Sequence, residues 1–277
     1  MRRPSLSPRR SRSRPTERVE STVSDSAGVP WEGRQFEHHP ASADDGSAPA
    51  ALIRVLRLFR DGEIGEPAIG EAEVINAIRN SRLLIPLVAH LGESGIDAHH
   101  HTGDKSAELS IVTVSGPDGR DVMPVFSSVD AMRRWKPLAR PVPANAVRVA
   151  LAAASEGTEL VVLDPTSPTE FAIRRPALWA IAQSQRWIPS YLDPEILGQF
   201  RNSAAFEPTV ESVSLEPGDP DARLEGPELL VHLTLTPGLA VTELNAMLER
   251  LQARWTASEI IATRVDSLRV QLGTAGV

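Results

Sequence analysis

No cysteine occurs anywhere in the 277 residues. Disulfides, thiolate nucleophiles and cysteine-based zinc or iron–sulfur sites are therefore excluded. Lysine is almost absent too: Lys105 and Lys136 stand alone, and every other basic residue is arginine. No apolar run reaches the roughly 18 residues that a membrane-spanning helix needs; the longest candidate, near Val147 to Ala154, is interrupted by Arg148. The arginine-rich N-terminus lacks the apolar stretch of a secretory signal, and Arg9-Arg10 fails as a twin-arginine signal for the same reason. A cytoplasmic location is the default expectation. Reaction signatures are missing as well: there is no Gly-x-Ser-x-Gly, no glycine-rich loop ending in Lys-Ser or Lys-Thr, and no Gly-x-Gly-x-x-Gly. Their absence weighs against an enzyme, and no cofactor is implied.

What charge there is lies unevenly. Residues 1–18 carry a formal +6 (seven Arg and Glu17), which leaves −13 for the remainder against a total of −7. A nucleic-acid binder carries its basic residues on the folded body. Here nucleic-acid contact would have to come from the tail, by counterion release. Residues 1–48 are rich in Ser, Pro and Arg and have no helical or strand period. Such a segment cannot bury enough apolar surface to offset its ordering entropy, so it reads as a disordered tail.

Periodicity begins near Pro49. Leu52, Val55, Leu56 and Phe59 recur at helical spacing, and Val74, Ile75 and Ile78 form a second stripe within 71–79. Leu83 to Ala89 is a dense run too short for a typical helix and reads as a buried strand; Pro86 inside it argues for an edge position or a bulge. Ile111 and Val112 mark the next strand, Pro117-Asp118-Gly119 a turn, and Val122 to Phe126 the returning partner of a hairpin. Ser127 or Ser128 can cap the helix that follows and ends near Trp135. An Ala-rich helix over 144–155, strands at 160–163 and 171–173, and a short helix over 177–183 complete a mixed domain. Residues 201–228 read as an acidic linker or loop, with seven acidic groups and one arginine within 207–228; Val210, Val213 and Leu215 could form a short strand there. Beyond it, Val231, Leu233 and Leu235 alternate with polar residues, Leu244, Met247, Leu248 and Leu251 make a helix stripe, and Leu268, Val270 and Leu272 alternate again. The fold class is α+β: a mixed sheet with helices over 49–200, plus a smaller C-terminal α/β sandwich over 229–277 whose first strand could start near 208.

Several of these segments form a resemblance. They are Arg82-Leu-Leu-Ile-Pro-Leu-Val88, Asp104-Lys-Ser-Ala-Glu-Leu109, Gly119-Arg-Asp-Val-Met-Pro-Val-Phe126, Trp135 with Ala139-Arg-Pro-Val142, Val162-Leu-Asp-Pro165, and Arg175-Pro176. From Leu52 to Pro189 the chain resembles the SseB-type N-terminal domain of actinobacterial proteins. The resemblance supplies no catalytic residues. A type III secretion translocon protein shares the family name, but this chain lacks the long apolar helices that a translocon needs, so that function is not transferred.

Three candidate sites remain. His99-His100-His101, helped by Asp97 or Asp104, could hold a metal, but adjacent residues on a regular element cannot all face one ion, and a solvated loop explains them equally; no metal site is assigned. Asp164 follows a strand, where α/β proteins often bind ligands, yet Asp-Pro turn initiation accounts for it too. Arg133, Arg134, Lys136 and Arg140 surround Trp135; such a patch could grip an anion or an acidic partner, while the helix dipole and core packing give a structural account. The leading expectation is a cytoplasmic protein-interaction or regulatory module with an unidentified protein partner. The alternatives are an anion-binding or enzymatic α+β domain using the Arg133 to Arg140 patch, and nucleic-acid contact through the tail.

Overall fold

A computed structural model of the chain describes residues 44–61, 69–90 and 108–274. Residues 1–43 of the expected tail and the histidine run 99–101 lie outside the described residues. Residues 44–48, also expected in the disordered tail, are instead held to the fold, with Asp44 paired to Arg82 (2.7 Å) and the Gly46 carbonyl accepting from the Val129 N–H (2.9 Å). The α+β class holds: among the described residues, helices accompany three separate sheets.

Two amphipathic helices open the described part. α1 (Ala50–Asp61) buries Leu52 and Leu56, and α2 (Glu71–Arg79) buries Val74, Ile75 and Ile78. Glu73 reaches back to the Gly70 N–H at the start of α2 (3.0 Å). β1 (Arg82–His90) then forms the middle of an antiparallel sheet, between β2 (Glu108–Ile111) and β5 (Arg140–Asn145). A second sheet has the order β3 (Val114–Ser115), β4 (Asp121–Val125), β6 (Val161–Leu163), β7 (Phe171–Ile173). β4 and β6 are parallel, so the chain crosses between them through α3 (Val129–Trp135), β5 and α4 (Ala146–Ser155). α5 (Arg175–Ala182) follows β7.

The central position of β1 corrects the edge or bulge expected from Pro86. The Leu84 N–H and C=O both bond Phe126, away from β5 (2.8 and 2.9 Å). By strand alternation the Pro86 nitrogen points the same way. There it falls between the Phe126 bridge and the start of the β2 ladder at Leu87 opposite Ile111. A missing N–H removes no ladder bond in that gap, so proline is accommodated inside a central strand. The hairpin also differs from its expected form. Ile111 pairs with β1, whereas Val114 and Ser115 pair with β4, so one apparent strand serves two sheets. The turn holds Gly119 at φ 81°, a left-handed conformation that favours glycine.

The C-terminal part begins with α6 (Pro194–Ala204), which the sequence reading had missed. Asp193 caps it, accepting from the Glu195 N–H (2.9 Å), Pro194 occupies its first turn, and Ile196, Phe200 and Ala204 are buried at four-residue spacing. β8 (Val210–Pro217), β9 (Leu229–Leu235) and β10 (Leu268–Thr274) form the third sheet with β9 central. β8 runs antiparallel to β9 and β10 parallel to it, after a crossover through α7 (Val241–Thr256) and α8 (Glu259–Arg264). Leu229, Val231, Leu233 and Leu235 alternate inward as the period-2 pattern requires.

Two large cores result. One gathers Leu52, Ile78, Leu83, Met123, Leu163 and Phe171 with their neighbours; the other gathers Phe200, Leu229, Val231, Leu251 and Trp255. A smaller cluster unites Leu84, Phe126 and Met132 with half-buried Trp135, and the Phe126 and Trp135 rings lie 5.3 Å apart. Phe126 has no exposed surface and its backbone joins the first two sheets. Phe126→Ala should therefore lower stability by about 3–5 kcal/mol, read as a fall in the urea midpoint. A loss below about 1 kcal/mol would show that the site refills and that the junction does not depend on the ring.

Candidate functional site

The cationic patch is built from the end of α3 outward. Ser128 caps this helix, its Oγ accepting from the Ala131 N–H at 3.1 Å. Ser127, the other expected cap, turns inward instead. Its N–H and Oγ donate to the two Asp164 carboxylate oxygens (2.8 and 2.6 Å), and Thr169 Oγ1 donates to the same carboxylate (2.8 Å). Asp164 is thus a buried pin at the end of β6, with its backbone at φ 46°. Asp118, at the hairpin turn, is bonded by the Arg120 backbone and guanidinium.

With α3 anchored, Arg133 and Arg134 fall in its last turn, where cations favour the helix dipole. Trp135 is half-buried on Phe126, and Lys136 Nζ lies 6.0 Å from its ring centre. The Ala139 N–H donates to the Lys136 carbonyl (3.1 Å), closing the turn that leads into Arg140 at the start of β5. The structure keeps all five sequence-read residues on one continuous segment. Arg133, Arg134 and Arg140 are exposed, and their side chains make no ion pair or hydrogen bond among the described residues. Leu138 between them is 89% exposed. In β5, Pro141, Val142 and Pro143 are exposed as well. Pro141 and Pro143 pair with Pro86 and Leu84, the residues whose backbones point away from β5. Their nitrogens therefore face the open edge, which lacks donors at both positions.

A second constellation is buried, and the sequence reading did not identify it. Arg174, 6% exposed, stands at the N-terminus of α5 without capping it. Its guanidinium donates to Asp219 Oδ2 (2.6 Å), Asp266 Oδ2 (3.1 Å) and the Gly226 carbonyl (2.8 Å). Arg120 grips both oxygens of Asp266 from the hairpin (3.0 and 2.9 Å). Burial pushes the Asp266 carboxyl up, but Arg120 and Arg174 outweigh it and hold the group below the usual range. Asp219 also accepts from the Arg223 and Leu224 N–H groups (3.1 and 2.8 Å) and so folds the 219–224 loop. That loop inserts Ala222 and Leu224 among the core side chains, and its Ala222 carbonyl accepts from the Ala172 N–H of β7 (2.7 Å). At its neck Gly218 and Gly226 press together, and a side chain on either would strike the other strand's backbone.

Beside this network lie two carboxyls under strain. Burial, followed by repulsion from Glu228, pushes Glu71 up to about 7, opposed by Tyr191 and Arg174. Glu228 is also raised, mainly by burial, although the backbone N–H of Asp266 and the Ser190 hydroxyl draw it down. Neither Ser190 Oγ nor Glu228 Oε1 has a hydrogen bond of good geometry. Burial and the nearby Glu71 raise the Tyr191 phenol. One signal for this cluster was present in the sequence: an arginine at a helix N-terminus opposes the dipole, and so implies carboxylates brought from elsewhere.

The chain is thus an α+β protein with an anchored α3 and an exposed cationic edge. Residues 55–180 match the family model of the SseB protein N-terminal domain. That stretch, which runs from α1 into α5, is similar to the SseB N-terminal domain and supports an SseB-like assignment for this part of the chain. No curated protein and no solved structure matched the chain. No helix among the described residues is long and apolar enough to cross a membrane.

Two outcomes follow from the buried network. Because Glu71 binds its proton more tightly when folded (about 7) than at its ordinary 4.5, the folded state holds more protons between these values. Stability should therefore fall as pH rises from 4.5 to 7, by roughly 2–3 kcal/mol, and level off above. Glu71→Gln should flatten that slope in urea titrations at pH 5 and 8; parallel curves for the two proteins would reject the assignment. Arg174→Ala leaves Asp219 short of its buried partner and should cost about 3–5 kcal/mol, measured the same way. A cost under about 1 kcal/mol would mean that water replaces the guanidinium freely.

Proposed function

We propose that the chain is a protein-interaction module that acts by binding, through the surface formed by Arg133, Arg134, Trp135, Lys136 and Arg140. One observation carries the reading: three cations without partners flank an almost fully exposed leucine beside an open sheet edge. Exposed arginines without an ion pair among the described residues also occur singly, at Arg57, Arg148, Arg186, Arg201 and Arg269. The grouping around an exposed leucine is what sets this patch apart, both from these and from the engaged arginines. Arg60, Arg82, Arg120, Arg174, Arg175, Arg250, Arg254 and Arg264 all form ion pairs. Exposed apolar surface rimmed by unpaired charge is suited to a partner that offers carboxylates around an apolar anchor. Pro141 and Pro143 disfavour recognition by strand addition at this edge, because that mode uses backbone donors. The expected partner is therefore an acidic protein segment held by its side chains. In this reading the part from α1 to α5 bears the surface, and the part from α6 to β10 forms the smaller C-terminal unit.

The test is affinity capture of the full chain's partners from native lysate, beside an Arg133→Glu, Arg134→Glu, Arg140→Glu variant. These side chains hold nothing within the fold, so the variant should keep the parent's urea midpoint within about 0.5 kcal/mol per site. A partner captured by the parent should bind the variant at least about tenfold more weakly, with affinity that falls as salt rises. An identical captured set for both proteins, or turnover of a metabolite by the purified chain, would overturn the reading.

A further inference from the structure

The third sheet ends in a strand longer than the other unprotected edges, β2 among them with four residues. β10 is seven residues long and lies outside β9. The Leu229 N–H donates to the Ser267 carbonyl (3.0 Å), which fixes the facing of the ladder. The backbone groups of Arg269 and Gln271 point to β9, and those of Leu268, Val270 and Leu272 point outward. No hydrogen bond reaches these outward groups among the described residues. Edge strands usually carry some defence against pairing. β5 has its two prolines; β8 has an irregularity between Val210 and Ser212, with Glu211 and Glu216; β3 and β7 have two and three residues. β10 has no proline and no bulge, and its one charge is Arg269.

Its apolar face is also unfinished. Leu268, Val270 and Leu272 register with Leu229, Val231 and Leu233 of β9, which are at most 1% exposed. Yet Leu268 and Val270 are half-buried, and Leu272 is 46% exposed. On this face a cleft of about 620 Å³ separates α7 and α8 from β10, walled by Leu248, Trp255, Ile261, Val265, Leu268 and Val270.

We propose that the occupant is a second copy of this chain, with two β10 strands paired antiparallel about a two-fold axis at Val270. The pattern Leu268-Arg269-Val270-Gln271-Leu272 is its own complement when reversed. In this register Leu268 faces the partner's Leu272, Val270 faces the partner's Val270, and Arg269 faces the partner's Gln271. All the leucine and valine pairs then fall on the cleft side. The outward N–H and C=O groups of residues 268, 270 and 272 are the ones such a ladder requires. Other registers are poorer. Centring on Arg269 opposes two like charges. Centring on Gln271 sets Leu268 against Thr274, and a slip of one residue turns the apolar set to the polar face. Two three-stranded sheets become one of six strands, and a symmetric, isologous contact closes both edges at once. This surface shares no residue with the cationic patch, so either proposal can fail alone.

The test is sedimentation equilibrium on the full chain with two variants. Val270→Pro deletes an outward N–H and leaves the bonds to β9 in place. Leu272→Lys puts a charge on the exposed apolar rim without touching the backbone. The parent is expected at twice the 30.0 kDa chain mass, and both variants at the single mass with an unchanged circular dichroism spectrum. Should Val270→Pro fail to fold, Leu272→Lys decides alone. The absence of cysteine permits a second readout: Val270→Cys should cross-link to dimer with a short bis-maleimide. A monomeric parent overturns the proposal. So does a dimer that survives Leu272→Lys, including one lost on removal of residues 1–43 or on reversal of the Arg133 patch.

Discussion

The Arg174 guanidinium is the constraint on which the joining of the two large cores depends. It emerges at the head of α5, in the N-terminal part, and is met by Asp219 and Asp266 from two segments of the C-terminal part. A buried arginine without partners would be costly, and so would either carboxylate. The three charges, with Arg120 on the far side of Asp266, therefore specify one another's position. Specificity is the better description than strength, because desolvation consumes much of what the Coulomb attraction returns. The 218–228 segment shows what this arrangement does. Its acidic composition suits a solvated linker, but Asp219 folds it onto Arg174 and seats Leu224 among core side chains.

The same residue type serves opposite ends in two places. Arg120 and Arg174 turn their guanidinium groups onto internal carboxylates, with a carbonyl as a further partner of Arg174. Arg133 and Arg134, in the last turn of α3, and Arg140, at the start of β5, are exposed and their side chains pair with no carboxylate among the described residues. That division separates cohesion from display. The planar, always charged guanidinium suits both roles: its fork fixes geometry when buried and grips carboxylates when exposed. The proline-lined edge of β5 and the bare edge of β10 make a parallel contrast in the backbone. One withholds its donors, and the other presents a row of them.

Much of the architecture was legible in order along the chain. The stripes at Leu52 and Leu56, at Val74 and Ile78, and at Met247 and Leu251 are helices with those faces buried. The alternations at Val231 and at Leu268 are strands. Where the pattern misled, the reason was local. β5 carries no period because it lies at an edge with both faces near solvent. The apparent strand around Ile111 looked continuous because its break lies in pairing rather than in hydropathy. Pro86 suggested an edge because the direction of a missing N–H cannot be read without its neighbours.

The candidate surface was legible for a related reason: its residues are contiguous, so sequence proximity was spatial proximity. Residue types and short-range spacing were enough for the α+β class, many of the residues that face each core, the cationic run from Arg133 to Arg140, and the exclusion of thiol chemistry. Those properties depend on residue type and on spacings of two to four, which act within one element. The tertiary structure alone decided that Arg174 meets Asp219 and Asp266, that Glu71 is driven up beside Glu228, and that β10 ends its sheet with its backbone bare. These are relations between residues 45 to 157 positions apart or between whole strands, and no local period carries them.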